Sequence, residues 1–244
     1  DFAESKNDEA SGTIAPFATA SMSVNVALDS QVGMQGATLH VEVADPSFAV
    51  AAPVVFDKNV RVNASVIPNG SASDDVDAPM SMWTVGNDPN GNTGSDWRVF
   101  QASPTDHYWF GPNPSSPADT WLISPSIDVG NQPFSFTFKH RYDFEQDATT
   151  FYDGAVIELS ANNGASWVDI GSSAVPGYGG AIPNQTSNPL RGKRAFVGRS
   201  PGYPAFQQVT VSRGLLHQGQ LVKIRFRIGS DDAANAKGWE IDDI

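Results

Sequence analysis

Acidic side chains gather at three places in this sequence where their chemistry could hold a cation. Arg141-Tyr142-Asp143-Phe144-Glu145 closes a long aromatic run. Tyr152-Asp153-Gly154 makes a tight turn before an apolar one. Gly229-Ser230-Asp231-Asp232 and Gly238-Trp239-Glu240-Ile241-Asp242-Asp243 end two further runs. Calcium takes six to eight oxygens at ~2.3–2.6 Å, which two or three carboxylates and a few carbonyls supply. Glu145 and Asp153 flank a connection of seven residues, 146–152, and can converge at one end of a folded unit. The competing use of these acids is ion pairing, with Arg141, Arg225 and Arg227 facing Glu145, Glu240 or Asp242. Spacing leaves both open.

Catalytic patterns are poorly represented. The four histidines, His40, His107, His140 and His217, form no HExxH and no helical metal pair. Gly198-Arg199-Ser200-Pro201-Gly202 matches GxSxG, but a proline follows the serine where a nucleophile elbow needs a helix. Asp88-Pro89-Asn90-Gly91-Asn92 starts like an EF-hand loop, yet its sixth and twelfth positions hold Thr93 and Val99, so it reads as an Asn-Gly turn. The acids lie in no pattern that demands acid–base work, and the reading is non-enzymatic.

The 244 residues carry 27 acids against 15 bases, a net charge of −12, which argues against nucleic acid or an anionic membrane as partner. There is no cysteine, hence no disulfide, thiolate nucleophile or zinc–cysteine site. No apolar run reaches the ~18 residues of a membrane-spanning helix. The chain opens on a polar stretch and stops in a strand-like run, as a piece of a longer protein would.

The elements that position the acids are strands. Residues 1–20 read as a linker or tail. Val24, Val26 and Leu28, then Leu39, Val41 and Val43, then Val60, Val62 and Val66 alternate with polar residues. That period of two predicts a small β segment over 21–70, part of an Ig-like module or an extension of the larger β region after it. From 71 to 244, short strands recur at 97–100, 108–110, 121–123, 134–144, 155–160, 166–170, 206–212, 221–228 and 239–244. Phe134, Phe136, Phe138, His140, Tyr142 and Phe144 share one face of the longest, which makes His140 a buried, hydrogen-bonded histidine. The pattern predicts an all-β jelly-roll sandwich. The Gly/Pro-rich stretch 171–205 holds too many large side chains for a free linker and is expected to fold over the sandwich.

The ordered series Asp119-Thr-Trp-Leu-Ile-Ser-Pro-Ser-Ile-Asp128, Phe136–Glu145, Tyr152–Ser160, Asn163-Gly-Ala-Ser-Trp167, Pro176-Gly-Tyr178, Asn188-Pro-Leu190, Phe196–Pro204, Phe226–Asp231 and Gly238–Ile244 resembles the accessory β-sandwich of secreted bacterial metallopeptidases. It is similar to the C-terminal domains of fungalysin-type enzymes and, more distantly, to the MAM-like domain of immune inhibitor A. The resemblance covers roughly residues 74–244. It implies a MAM-like or cleaved-adhesin jelly roll, secreted, with a structural calcium ion on Glu145, Asp153 and Asp242 and with Asp231 or Asp243 as further ligands. It also implies a parent peptidase domain, or an extracellular protein or glycan, as partner. The family's zinc motif has no counterpart in this chain. The rival reading is an adhesin or carbohydrate-binding module, with Trp109, Tyr178, Tyr203 or Trp83 as the exposed aromatics.

Overall fold

The computed structural model describes residues 35–43, 54–62, 66–77, 81–90 and 96–244. The chain divides into two compact units, 1–64 and 65–244. In the first, β1 (Gln35–Val43) and β2 (Val54–Val62) pair antiparallel, with His40 opposite Asp57 and His40 Nδ1 2.6 Å from Asp57 Oδ1. The linker expected over 1–20 and the strand expected at Val24–Leu28 lie outside the described residues.

The second unit holds β3 (Val66–Ile67), β4 (Thr84–Asn87), β5 (Arg98–Ser103), β6 (Asp106–Asn113), β7 (Ala118–Ile123), β8 (Ser126–Asp128), β9 (Phe134–Asp143), β10 (Gly154–Ser160) and β11 (Val168–Asp169). It continues with β12 (Ala174–Val175), β13 (Gly180–Ala181), β14 (Arg194–Val197), β15 (Gln207–Gly214), β16 (Leu221–Ser230) and β17 (Ala236–Asp242). One sheet runs β12-β15-β9-β17-β6-β5. The other runs β13-β14-β10-β16-β7-β4, with β11 beside β10, and β8 beside both β16 and β3. Residues 66–67, grouped by their alternation with the small β segment, instead pair with β8 in this second unit. No helix of the described residues is long and apolar enough to cross a membrane.

The two sheets meet through the faces that alternation assigns. Phe138 and Trp239 of one sheet pack on Phe226 of the other at centroid distances of 5.0 and 5.5 Å, and all three are fully buried. His140 is buried among these rings and its Nδ1 accepts the Trp239 indole N–H at 3.1 Å. Burial pushes its pKa down to about 3, so it stays neutral, as the aromatic face requires. Register fixes Gly238, at φ +113°: a Cβ there would stand 2.1 Å from the Gly111 carbonyl oxygen.

The stretch 171–205 does fold over the sandwich. Ile182, Leu190, Ala195 and Val197 bury themselves against Val156 on the outer face of β10, forming a second, smaller core. Beside it lies a charge network. Glu158 accepts from Arg225 through Nε at 2.8 Å and also through Nη2, while Arg227 grips Asp119 with two bonds of 2.6 Å. Lys193 Nζ stands 3.5 Å from Glu158. Burial works against the Glu158 carboxylate, but Arg225 and Arg227 outweigh it and hold the group below its ordinary pKa. Breaking such a buried pair on one side typically costs ~3–5 kcal/mol. Glu158→Gln is therefore expected to lower the unfolding free energy by about that amount in urea titration; a loss under ~1 kcal/mol would show that the network contributes little.

Candidate metal centre

The rim where three connections meet holds the densest acidic chemistry of the described residues. β9 ends at Asp143, and the chain continues through Phe144, whose N–H reaches the Gly198 carbonyl at 2.8 Å, to Glu145. The loop after Glu145 folds back on itself. Asp147 accepts the N–H groups of Thr149 and Thr150 at 2.7 Å each and the Tyr152 hydroxyl at 2.7 Å. The Thr149 N–H foremost, then the Tyr152 hydroxyl, hold the Asp147 carboxyl down at about 2. The loop closes with the Tyr152 N–H on the Glu145 carbonyl at 3.1 Å, which returns the chain to Asp153 beside Glu145.

β10 then starts at Gly154, which pairs with Gly229 of β16. That register sets the residues after β16 against Asp153, and the Asp231 N–H donates to Asp153 Oδ1 at 2.7 Å. Ligand oxygens of Glu145, Asp153 and Asp231 all lie within 4.8 Å of one another. Oxygens around one calcium ion, each ~2.3–2.6 Å from it, can stand at most about 5 Å apart, so the spacing suits that ion.

Two asparagines hold the arrangement. Asn113, at the end of β6, donates from Nδ2 to Asp153 Oδ2 at 2.7 Å and accepts the Glu145 N–H at 3.2 Å. Asn188, fully buried in the covering stretch, reaches Asp153 Oδ1 at 3.2 Å and the carbonyls of Tyr152 and Gly229 at 2.9 and 2.8 Å. Gly229 must lack a side chain here, since a Cβ would meet Asn188 Oδ1 at 2.4 Å.

Asp153 is 0% exposed. Among the described residues none of the three acids has a basic partner: Arg199 pairs with Asp143, Arg141 and Lys237 with Glu240, Arg225 and Arg227 with Glu158 and Asp119. Burial drives the Asp153 pKa up to about 7 against the pull of Asn113 and the Asp231 N–H, and burial and Asp231 together raise Glu145. Anionic oxygen ligands without a counter-charge are the donor set a hard divalent cation takes, and the residues fit calcium.

Asp242 and Asp243 are not in this group. β17 runs antiparallel to β9, so Gly238, near its start, pairs with Asp143, whereas Asp242 pairs with Lys139 four residues away, about 13 Å along the strand. Asp243 instead bonds Lys139 at 2.5 Å. Asp242 sits near Asp243, Asp106 and Asp77, and burial, then these neighbours, push its pKa up to about 6. The ion-pair alternative holds for Arg141, which bonds Glu240 at 2.6 and 3.0 Å, and for neither Glu145 nor Asp242.

Of the four aromatic residues expected at a glycan surface, two belong to the core. Trp109 and Trp83 are buried in the core, Trp83 lying 5.5 Å from Phe226. Tyr178 borders an open recess of about 580 Å³, but its hydroxyl donates to Asp169 at 2.9 Å and accepts the Ile157 N–H at 2.8 Å. Tyr203 is half-exposed under the Arg199 guanidinium at 5.3 Å. Ser200 is buried, and its Oγ accepts the Tyr142 N–H at 3.2 Å. Asn113, between two prolines, offered no signal in the sequence, and Asn188 stood in a motif of the resemblance without being read as a support for Asp153.

No protein-family model and no curated protein matches this sequence. Among solved structures, the K1 cleaved adhesin domain of Lys-gingipain from Porphyromonas gingivalis W83 is similar at 15% identity and a TM-score of 0.43, covering 71% of this chain and 96% of that one. A carbohydrate-binding module of the β-sandwich superfamily is similar at 9% identity and a TM-score of 0.39, covering 87% of this chain and 75% of that one.

The raised pKa of Asp153 gives a signed pH dependence. In ion-free protein its contribution to stability is full below about pH 4 and is lost as the pH rises through about 7. His140 acts oppositely, losing stability as the pH falls from about 6.5 towards 3, but its effect cancels when protein with and without calcium is compared at one pH. The rise in melting temperature on adding calcium is expected to grow from pH 5 to pH 8, and Asp153→Asn to abolish that growth. An increment independent of pH would place the cation elsewhere.

Proposed function

We propose that this chain is a non-catalytic accessory module of a secreted protein, and that a structural calcium ion at Glu145, Asp153 and Asp231 closes one rim of its sandwich. The observation that carries the proposal is the convergence of three carboxylates, one of them fully buried, with no basic partner among the described residues. Glu145 follows a strand of one sheet, while Asp153 and Asp231 flank strands of the other. An ion held by all three would tie the two layers together where three connections cross. Extracellular modules bind calcium at ~10⁻⁴–10⁻³ M, an affinity range that fits a site built on loops.

The non-catalytic reading draws support from Ser200, whose hydroxyl is buried on a backbone N–H rather than set beside a base. The ordered series of motifs, which resembles accessory domains of secreted metallopeptidases, favours a parent peptidase domain, or an extracellular protein or glycan, as partner. An adhesin or carbohydrate-binding role is the second reading. It is favoured by two half-exposed tryptophans, Trp121 and Trp167, that line one recess on the outer face of the larger sheet.

Calcium at ~100 times its dissociation constant should add about 2.7 kcal/mol to stability, seen as a melting temperature that falls on chelation with EGTA. Glu145→Gln and Asp231→Asn are expected to remove that shift, and Asp242→Asn to keep it. An EGTA-insensitive melting temperature, or loss of the shift in the Asp242 variant alone, would refute the assignment.

A further inference from the structure

The outer face of the larger sheet carries a recess of about 470 Å³ next to the Glu158 network. That volume falls within the ~300–1,000 Å³ of small-molecule sites. Its walls are Trp121 on β7 and Trp167 before β11, with Arg225 between them. The guanidinium carbon lies 5.2 Å from the Trp121 ring centroid and 4.4 Å from that of Trp167. Arg225 is 9% exposed and its charge is taken up by Glu158. It therefore acts as a fixed brace that holds two indoles in place before any ligand arrives. Gly86 of β4 makes room for Trp121, since a Cβ there would stand 2.3 Å from the indole nitrogen.

Besides Arg225, three polar side chains share the recess: Lys223, Asn163 and Thr84. Lys223 differs from its neighbours. Arg225, Arg227 and Lys193 divide Glu158 and Asp119 among them. The side chain of Lys223, half-buried opposite Ser160, has no ion pair or hydrogen bond among the described residues. In a chain of net charge −12 this is a cation held beside a pre-set aromatic surface and left without an anion. The polarised C–H groups of a pyranose are drawn to the negative face of an indole, and Asn and Thr can both donate to and accept from sugar hydroxyls.

We propose that this recess binds a saccharide carrying a carboxylate, the sugar ring lying against Trp121 and Trp167 and the acid group on Lys223. The inference rests on the binding-module reading and is independent of the calcium ion, which belongs to a different cluster of residues.

The test is an NMR titration of the full chain, saturated with calcium, that tracks the indole N–H signals. The probes are a glucuronate-containing tetrasaccharide, its carboxyl-reduced neutral counterpart, and hexaglutamate. The acidic sugar is expected to shift the Trp121 and Trp167 signals and to bind at least tenfold more tightly than the reduced one, an advantage that 0.5 M salt diminishes. Lys223→Gln should erase the preference for the acid without moving the melting temperature, and Trp167→Ala should abolish binding. Unmoved indole signals at millimolar sugar, an acid preference that survives Lys223→Gln, or hexaglutamate binding as tightly as the sugar would each overturn the inference. Failure of sugar binding in protein that calcium still stabilises would leave the proposed function standing.

Discussion

Asp153 carries a carboxylate into a place water does not reach, and among the described residues no lysine or arginine accompanies it there. An isolated buried charge is costly enough that the group takes up a proton or finds a cation. Everything around Asp153 is arranged to receive charge rather than dispel it. Two asparagine amides and a main-chain N–H donate to it, and Glu145 and Asp231 bring further negative oxygens within 4.8 Å. A proton relieves that pressure at low pH, and the proposed calcium ion would relieve it above.

The molecule treats its other buried acids differently. Glu158, Asp119 and Glu240 each sit under arginines on the polar faces of central strands, where register places a basic residue opposite or diagonal to each acid. Those pairs are internal to a sheet and stiffen it. The rim acids stand at strand ends instead, where the chain passes between layers and strand register provides no basic neighbour. A diffusible cation would suit that position because it could bond carboxylates of two connections at once. The same division explains the outer-face recess: a network that neutralises itself leaves Trp121, Trp167 and Lys223 free to face outward.

Much of this was legible from alternation. Phe134 to Tyr142 and Val222 to Ile228 point inward as their period of two requires, and His140 belongs to the apolar face by position alone. Glu145, Asp153 and Asp231 were also legible, because each ends or precedes a strand. Asp242 misled for a definite reason. Its motif looks like a ligand run, but whether a strand's start or end faces the rim depends on pairing direction, which one strand's sequence does not encode. The antiparallel register of β17 on β9 sends Asp242 to the far end. Trp109 and Trp83 misled because composition does not tell an exposed aromatic from a core one. Trp121 and Trp167 stay half-exposed on the outer face, while Arg225, expected to pair with Glu145, Glu240 or Asp242, braces both indoles.

The central claim is that calcium replaces a proton on a buried carboxylate. Calorimetric titration of the full chain with calcium, repeated in buffers of different ionisation enthalpy, counts protons released per ion bound. With Asp153 at about 7, close to one proton is expected to leave per calcium ion at pH 6 and almost none at pH 9. Calcium binding without proton release at pH 6, or no calcium binding at either pH, would contradict it.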